Sequence, residues 1–170
     1  LEQLNCCLAA HDCRMVIKLH PLQYYDRLWQ YSHIRMLDQQ MLEQEFGSLY
    51  SLLKLADGLI TDYSSIFFDY MLLDRPMAFT VEDLAAYGAD RGFVVENPLD
   101  FMAGEQITEY KGIADFISHV LAGKDLFAKK RREINALVNA YQDGENSERI
   151  AKRCIPDLES VLSGIQKTAG

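Results

Sequence analysis

The sequence predicts an α/β protein of Rossmann-like type, a parallel sheet with helices on both faces. Three observations carry that prediction. Short apolar runs alternate with stretches whose apolar residues recur at helical spacing, as strand-helix-strand units require. The run Ala56–Ile60 passes through Thr61-Asp62 into Ser64-Ser65 and a helix, the strand-turn-helix junction at which α/β proteins meet phosphate. The final third, from Thr108 onward, has two amphipathic stripes.

The elements follow in order. Leu1, Leu4, Leu8 and Ala9 space a short helix between Leu1 and Asp12. Arg14–Leu19 reads as a strand, stopped at His20-Pro21 because proline cannot extend a ladder and restricts the residue before it. Tyr24, Tyr25, Leu28 and Trp29 suggest a short helix, and Ile34–Leu37 a strand. Leu49, Leu52, Leu53 and Ala56 place a helix over Ser48–Ala56, closed by Asp57-Gly58. After the Ser64 helix, Asp74-Arg75-Pro76 turns the chain into a buried strand, Met77–Phe79. Val81–Gly104 reads as irregular, broken by Gly88, Gly92, Pro98 and Gly104, with an extended hint at Gly92–Val95; such a segment suits a functional rim. Ile113, Phe116, Ile117, Val120 and Leu121 define a helix ending at Gly123, and Leu126–Tyr141 another, with Lys129–Arg132 on its solvent side. Gln142–Asn146 turns, and Ser147 caps a last helix interrupted at Pro156.

With 170 residues, residues 1–170 form a single domain large enough to bury a core. Apolar residues at 49% and charged ones at 25% exclude a disordered chain. A net charge of −8 argues against a nucleic-acid surface, which needs clustered cations. No apolar run reaches the roughly 18 residues of a membrane span. Cys6, Cys7, Cys13 and Cys154 show neither zinc spacing nor a disulfide framework, so ordinary thiols in a reducing, cytoplasmic setting are expected. A start at Leu1 without methionine suggests a fragment of a longer enzyme.

Chemistry concentrates at the serine turn. Ser64 and Ser65 can donate hydroxyl hydrogen bonds to an anion, with Thr61 as a third hydroxyl; equally, one serine can be a plain helix cap. Asp69, four residues after Ser65, lies on the same helix face and can receive ligand hydroxyls or simply be solvated. His20 ends a parallel strand, so it shares the sheet's carboxyl edge with Ser64; it can act as acid or base, stabilise a leaving phosphate, or shape the loop before Pro21. Arg91 can fork onto a phosphate or lie on the surface. His11, His33 and His119 lack ligand spacing with each other or with acids, so no metal site is expected, and the missing GxGxxG removes the usual dinucleotide cofactor.

Several runs together resemble the CDP-glycerol glycerophosphotransferases that build teichoic-acid and capsule polymers. They are Val16-Ile17-Lys18-Leu19-His20-Pro21, Leu59 through Tyr70, Asp74-Arg75-Pro76, Arg91-Gly92-Phe93 and Asp143 through Ile150, spread over residues 14–150. The Thr-Asp-Tyr-Ser-Ser run is specific; a bare His-Pro is not. Met102-Ala103-Gly104-Glu105 departs from the family's Pro-Gly-Pro turn, which leaves the donor alcohol open.

The resemblance implies the carboxyl-terminal, donor-binding half of a GT-B glycosyltransferase-like fold. Its partners would be a CDP-alcohol donor such as CDP-glycerol or CDP-ribitol, a polymer acceptor, and a missing amino-terminal half carrying the second histidine. It implies His20 as catalytic, and Thr61, Asp62, Ser64, Ser65 and Asp69 as donor-binding. Ser147 is a further candidate for the donor phosphates. It also implies a peripheral place on the cytoplasmic face of the membrane, and an isolated half that binds donor without turning it over. Two other readings stand beside it: a UDP-sugar epimerase or glycosyltransferase of the same fold class, and a non-catalytic interaction domain with structural serines.

Overall fold

The computed structural model describes residues 1–19, 31–90, 92–93 and 95–155. The core strand is β4 (Met77–Thr80), whose Met77, Ala78 and Phe79 are at most 2% exposed. It lies between β3 (Leu59–Thr61) and β5 (Glu105–Ile107), all parallel, with Ile60 opposite Ala78 and Phe79 opposite Gln106. Alternation sends Met77 and Phe79 to one face and Ala78 to the other. Burying Phe79 alone is worth about 2–3 kcal/mol. A second parallel ladder pairs β1 (Met15–Lys18) with β2 (Ile34–Leu37). The single sheet expected from sequence is thus two ladders among the described residues.

Helices cover both faces. On one side, α3 (Leu49–Leu55), α4 (Ile66–Tyr70) and α7 (Ala128–Val138) bring Leu53, Phe67, Tyr70 and Ile134 against Met77 and Phe79. On the other, α6 (Tyr110–Leu121) sets Phe116 against Ala78 and Ile107. Ile113 and Ile117 of the same helix reach the cluster of Leu4, Leu8 and Ile34 formed by α1 (Glu2–Ala10) and β2. The predicted stripe of α6 is therefore a two-sided wedge.

Several boundaries moved. Ala56 caps α3 rather than opening β3, which runs to Thr61. The unpredicted α2 (Gln39–Phe46) begins at Asp38, whose carboxylate accepts the Met41 N–H at 2.8 Å, and ends at Gly47 with φ +73°. Ser48 caps α3 in the same way, accepting from the Ser51 N–H at 3.1 Å. The segment read as irregular contains α5 (Leu84–Asp90) and a 3₁₀ turn at Pro98–Asp100 before β5. Gly92, Phe93 and Val95 are not in a strand. Gly104 is buried because β4 passes so close that a Cβ there would lie 2.3 Å from the Met77 carbonyl oxygen. The last helix, α8 (Asn146–Cys154), is flanked by Glu145, so Ser147 is its second residue and not its cap. The helix suggested by Tyr24–Trp29 and the residues after Pro156 lie outside the described residues.

The reading of Lys129–Arg132 as a solvated face holds at Lys129 and Arg132 and is corrected at Arg131. Arg131 is 1% exposed. Its guanidinium donates to Asp74 Oδ1 at 2.8 and 3.0 Å, to the Asp74 carbonyl at 3.1 Å and to Asp125 at 2.5 and 3.1 Å. Arg132 donates to Asp74 Oδ2 at 2.8 Å, and Lys130 to the Leu99 carbonyl at 3.0 Å. Asp74 follows a 3₁₀ turn over Met71–Leu73 and holds φ +49°, so its carbonyl and carboxylate both face α7. Next to it, Arg75 donates to the carbonyls of Lys54 and Ala56 at 2.9 and 2.6 Å, and Tyr70 to that of Ala56 at 2.8 Å. Burial pushes the Tyr70 hydroxyl up to about 12, so it stays a donor.

Partial burial opposes ionisation of Asp74, but hydrogen bonds from Arg132 and Arg131 outweigh it and hold the carboxyl below its usual range. A carboxyl depressed on folding adds stability above its ordinary value near pH 4 and loses it as pH falls. Asp74→Asn should therefore flatten the acid limb of stability, read as urea midpoints from about pH 6 down to about pH 3, because asparagine tolerates the left-handed backbone and removes only the charge. Arg131→Met, which leaves two carboxylates without their cation, should cost about 3 kcal/mol in urea unfolding, the low end because both carboxylates keep some water.

Candidate functional site

The site grows from the end of β3. Asp62 Oδ1 accepts the Ser64 N–H at 2.9 Å, an Asx turn that halts the strand and swings the next two residues outward. Ser64 and Ser65 are exposed, and among the described residues neither hydroxyl has a hydrogen-bond partner. Ser65 sits at the N-cap in helical geometry with no side-chain capping bond, while its carbonyl accepts the Phe68 N–H at 3.0 Å. The plain-cap reading therefore does not account for either serine. α4 is only five residues long, so its dipole is small, and the hydroxyls are the stronger anion donors.

The remaining residues of the turn are engaged. Thr61 is partly buried, and its carbonyl accepts the Thr80 hydroxyl at 3.4 Å. Asp69 is partly buried and receives the Tyr50 hydroxyl at 3.4 Å, which leaves acceptor capacity on the carboxylate. Tyr63, between Asp62 and Ser64, turns away from the serines. Its hydroxyl donates to Asp83 at 2.8 Å, and its ring packs on Tyr87 and Phe93 with centroids 4.5 and 5.5 Å apart. Tyr87 and Phe93 stack at 5.3 Å. Gly88 permits this, since a Cβ there would lie 3.1 Å from the Phe93 ring. Burial, aided by the Asp83 acceptor, raises the Tyr63 hydroxyl well above its usual range, so it is a donor at any working pH. The rim is thus pinned against the serine turn by three rings and one hydrogen bond. Sequence reading missed this fastening; the aromatics at Tyr63, Tyr87 and Phe93 were its only trace.

His20 and Arg91 lie outside the described residues. The residue before His20, Leu19, is buried, and its N–H donates to the Leu37 carbonyl at 3.0 Å, extending the ladder to the histidine's doorstep. Phe93, two residues after Arg91, touches Tyr63, the residue before Ser64.

Ser147 is exposed in the first turn of α8, and none of that helix is buried. The chain reaches it from Asn139, whose amide donates to the Phe68 carbonyl of α4 at 2.9 Å. Asp143 accepts from Arg149 at 2.8 Å, and Arg149 lies 4.2 Å over the Tyr141 ring. Arg149 and then the Glu145 N–H hold the Asp143 carboxyl far below its usual range.

Elsewhere, His119 Nδ1 is 2.9 Å from Glu105 Oε1, and His33 Nδ1 is 2.9 Å from the Cys13 carbonyl. Among the described residues no group of three or more His, Cys, Asp or Glu could hold a metal, all four cysteines are free, and no helix is long and apolar enough to cross a membrane.

Comparison with known proteins follows this geometry. Residues 1–155 match the family described as CDP-glycerol:poly(glycerophosphate) glycerophosphotransferase. The teichoic acid ribitol-phosphate primase of Bacillus spizizenii (strain W23) is 32% identical over 89% of this chain and 36% of its own length. The teichoic acid glycerol-phosphate primase of Bacillus subtilis (strain 168) is 31% identical over 61% of this chain and 26% of its own. The solved wall teichoic acid polymerase TagF superposes with a TM-score of 0.56 at 22% identity, covering 95% of this chain and 48% of that one. That likeness shows the fold. The chain spans about a third of the length of the curated relatives it matches.

Removing the rim's hydrogen bond tests the fastening. Tyr63→Phe should cost about 1 kcal/mol of stability and speed amide exchange across Leu84–Asp90, while exchange in α6 stays unchanged.

Proposed function

Because this chain belongs to the CDP-glycerol:poly(glycerophosphate) glycerophosphotransferase family, we propose that it is the donor-binding half of a transferase moving glycerol phosphate, or a related polyol phosphate, from a CDP-alcohol to a polymer hydroxyl. The observation that carries this reading is the serine turn. Two exposed hydroxyls with no partner among the described residues stand at the end of a parallel strand, held outward by the Asp62 turn. A purely structural role would have them buried and bonded within the protein.

In this reading Ser64 and Ser65 hold donor phosphate oxygens, and Asp69 accepts hydrogen bonds from the donor's hydroxyls. Thr61 and Asp62 shape the turn and, with the Thr61 hydroxyl and the second Asp62 carboxylate oxygen, complete the donor-binding set. Arg91, two residues before the Phe93 that packs on Tyr63, and Ser147 are further candidates for the donor phosphates. The acceptor hydroxyl attacks the β-phosphorus, a new P–O bond forms as the bond to CMP breaks, and the hydroxyl's proton passes to a base on the other half of the enzyme. His20, as imidazolium, stabilises the departing phosphate. Catalysis then rests on positioning and on offsetting charge, as phosphoryl transfer generally does. The chain works joined to an amino-terminal half, at the cytoplasmic face of the membrane.

Calorimetry on the folded chain is the test. CDP-glycerol should bind, CMP more weakly, and Ser65→Ala should weaken CDP-glycerol binding about tenfold, the size of one hydrogen bond to a charged group. His20→Ala should weaken it as well. A preference for UDP-sugars over CDP-alcohols would replace this reading with the nucleotide-sugar one, and indifference of the full-length protein to both would remove it.

A further inference from the structure

One side chain of α4 is left over by the core. Ile66, Phe67, Phe68 and Tyr70 pack with Met77 and Phe79, and Asp69 is the one polar residue of the five. Asp69 is partly buried, and among the described residues only the Tyr50 hydroxyl donates to its carboxylate, 3.4 Å from Oδ2. Tyr50 itself is 57% exposed and, among the described residues, its ring meets no other ring. Packing therefore does not explain a tyrosine at this position, whereas the carboxylate does.

The fold brings Tyr50 to the edge that carries the serine turn. α3 closes where β3 and β4 begin: the Ala56 carbonyl accepts the Tyr70 hydroxyl and Arg75, and the Leu59 N–H donates to the Pro76 carbonyl at 3.1 Å. Leu49 and Leu53 both pack on the cluster that holds Met77 and Phe79, so α3 lies along the sheet, and its seven residues span about 10 Å. Its first turn thus stands toward the carboxyl edge, where Asp62 ends β3. That turn is fixed in place. Gly47, at φ +73°, closes α2, and Ser48 opens α3 by accepting the Ser51 N–H at 3.1 Å, so the Tyr50 backbone is set before its ring reaches across to α4.

We propose that Tyr50 is a positioning residue for Asp69: its hydroxyl pins Oδ2 and so presents the rest of the carboxylate, in one orientation, to the hydroxyls of the donor. The inference rests on the reading of Asp69 as the acceptor for those hydroxyls. An aspartate's terminal torsion is broad and roughly two-fold, so a carboxylate without a partner samples many orientations. With Oδ2 held from the α3 side, Oδ1 and the second lone pair of Oδ2 stay available to a ligand. The ordering is then complete before binding and is not charged against affinity. At 3.4 Å the bond is long for an O–H donor, and the ring is largely in water, so the pair orients the carboxylate and adds little to stability. Its effect therefore falls on the ligand and not on the fold.

Calorimetry on the full-length protein with CDP-glycerol tests this as a double-mutant cycle. Tyr50→Phe should weaken binding about three- to tenfold, with the urea midpoint unchanged. Asp69→Ala should weaken it too, and adding Tyr50→Phe to Asp69→Ala should cost less than about twofold more, because the carboxylate it oriented is gone. Full affinity in Tyr50→Phe overturns the inference, as does a loss that recurs undiminished in the Asp69→Ala background, which would give Tyr50 a ligand contact of its own. A loss that follows a lowered urea midpoint overturns it as well, by making Tyr50 structural. Weaker CDP-glycerol binding in Ser65→Ala with none in Tyr50→Phe would keep the donor reading and defeat the pairing. The same coupled loss measured with UDP-glucose, in a protein indifferent to CDP-glycerol, would sustain the pairing and defeat that reading.

Discussion

The buried guanidinium of Arg131 is the constraint on which the rest of the molecule depends. A cation at 1% exposure is tolerable only when every donor finds an acceptor, and here the backbone and side chain of Asp74 and the carboxylate of Asp125 supply them. Those acceptors fix the left-handed turn at Asp74, and that turn feeds β4, the strand packed on both faces. Through Arg75 the same turn fastens the end of α3, and through α7 it reaches Asn139 and the Phe68 carbonyl. The serine turn is thus held from behind by a network that does not touch it.

This separation explains how the site combines an ordered frame with open chemistry. Asp62 uses its carboxylate on the backbone of the turn and Tyr63 its hydroxyl on the rim, so the two serines between strand and helix are left with nothing among the described residues to satisfy them. Five successive residues divide into three that build and two that present. The division is made by hydrogen-bond geometry, not by residue type, since a serine is as good a cap as an aspartate.

How much of this was legible depended on the range of the interactions. Local signals read well: the helix over Ser48–Ala56, the Ile113–Leu121 stripe and the buried run at Met77–Phe79 all became the elements they suggested. The strand-serine-helix junction was also plain, because it is written in consecutive residues. Arg131 was not, since Lys-Lys-Arg-Arg in a helix looks solvated and its carboxylate partner stands 57 positions earlier. Tyr63 and Asp83 pair over a gap of 20 residues, across a segment whose glycines disguised α5 as loop. Asp38 was a readable cap overlooked beside mixed spacing. His20 and Arg91, legible as candidates, lie outside the described residues and stay expectations from sequence and family.

The arginine clamp has a consequence for encounter with an anion. Arg131 and Arg132 face Asp74 and Asp125, and Arg149 faces Asp143 and Glu145, so these cations are neutralised locally in a chain whose formal net charge is −8. An anion approaching from solution meets a net negative charge that repels it until it is within reach of short-range donors. Added salt shortens that repulsion. On the donor-binding reading, capture of such an anion should therefore quicken with ionic strength, opposite in sign to the steering that basic clefts use.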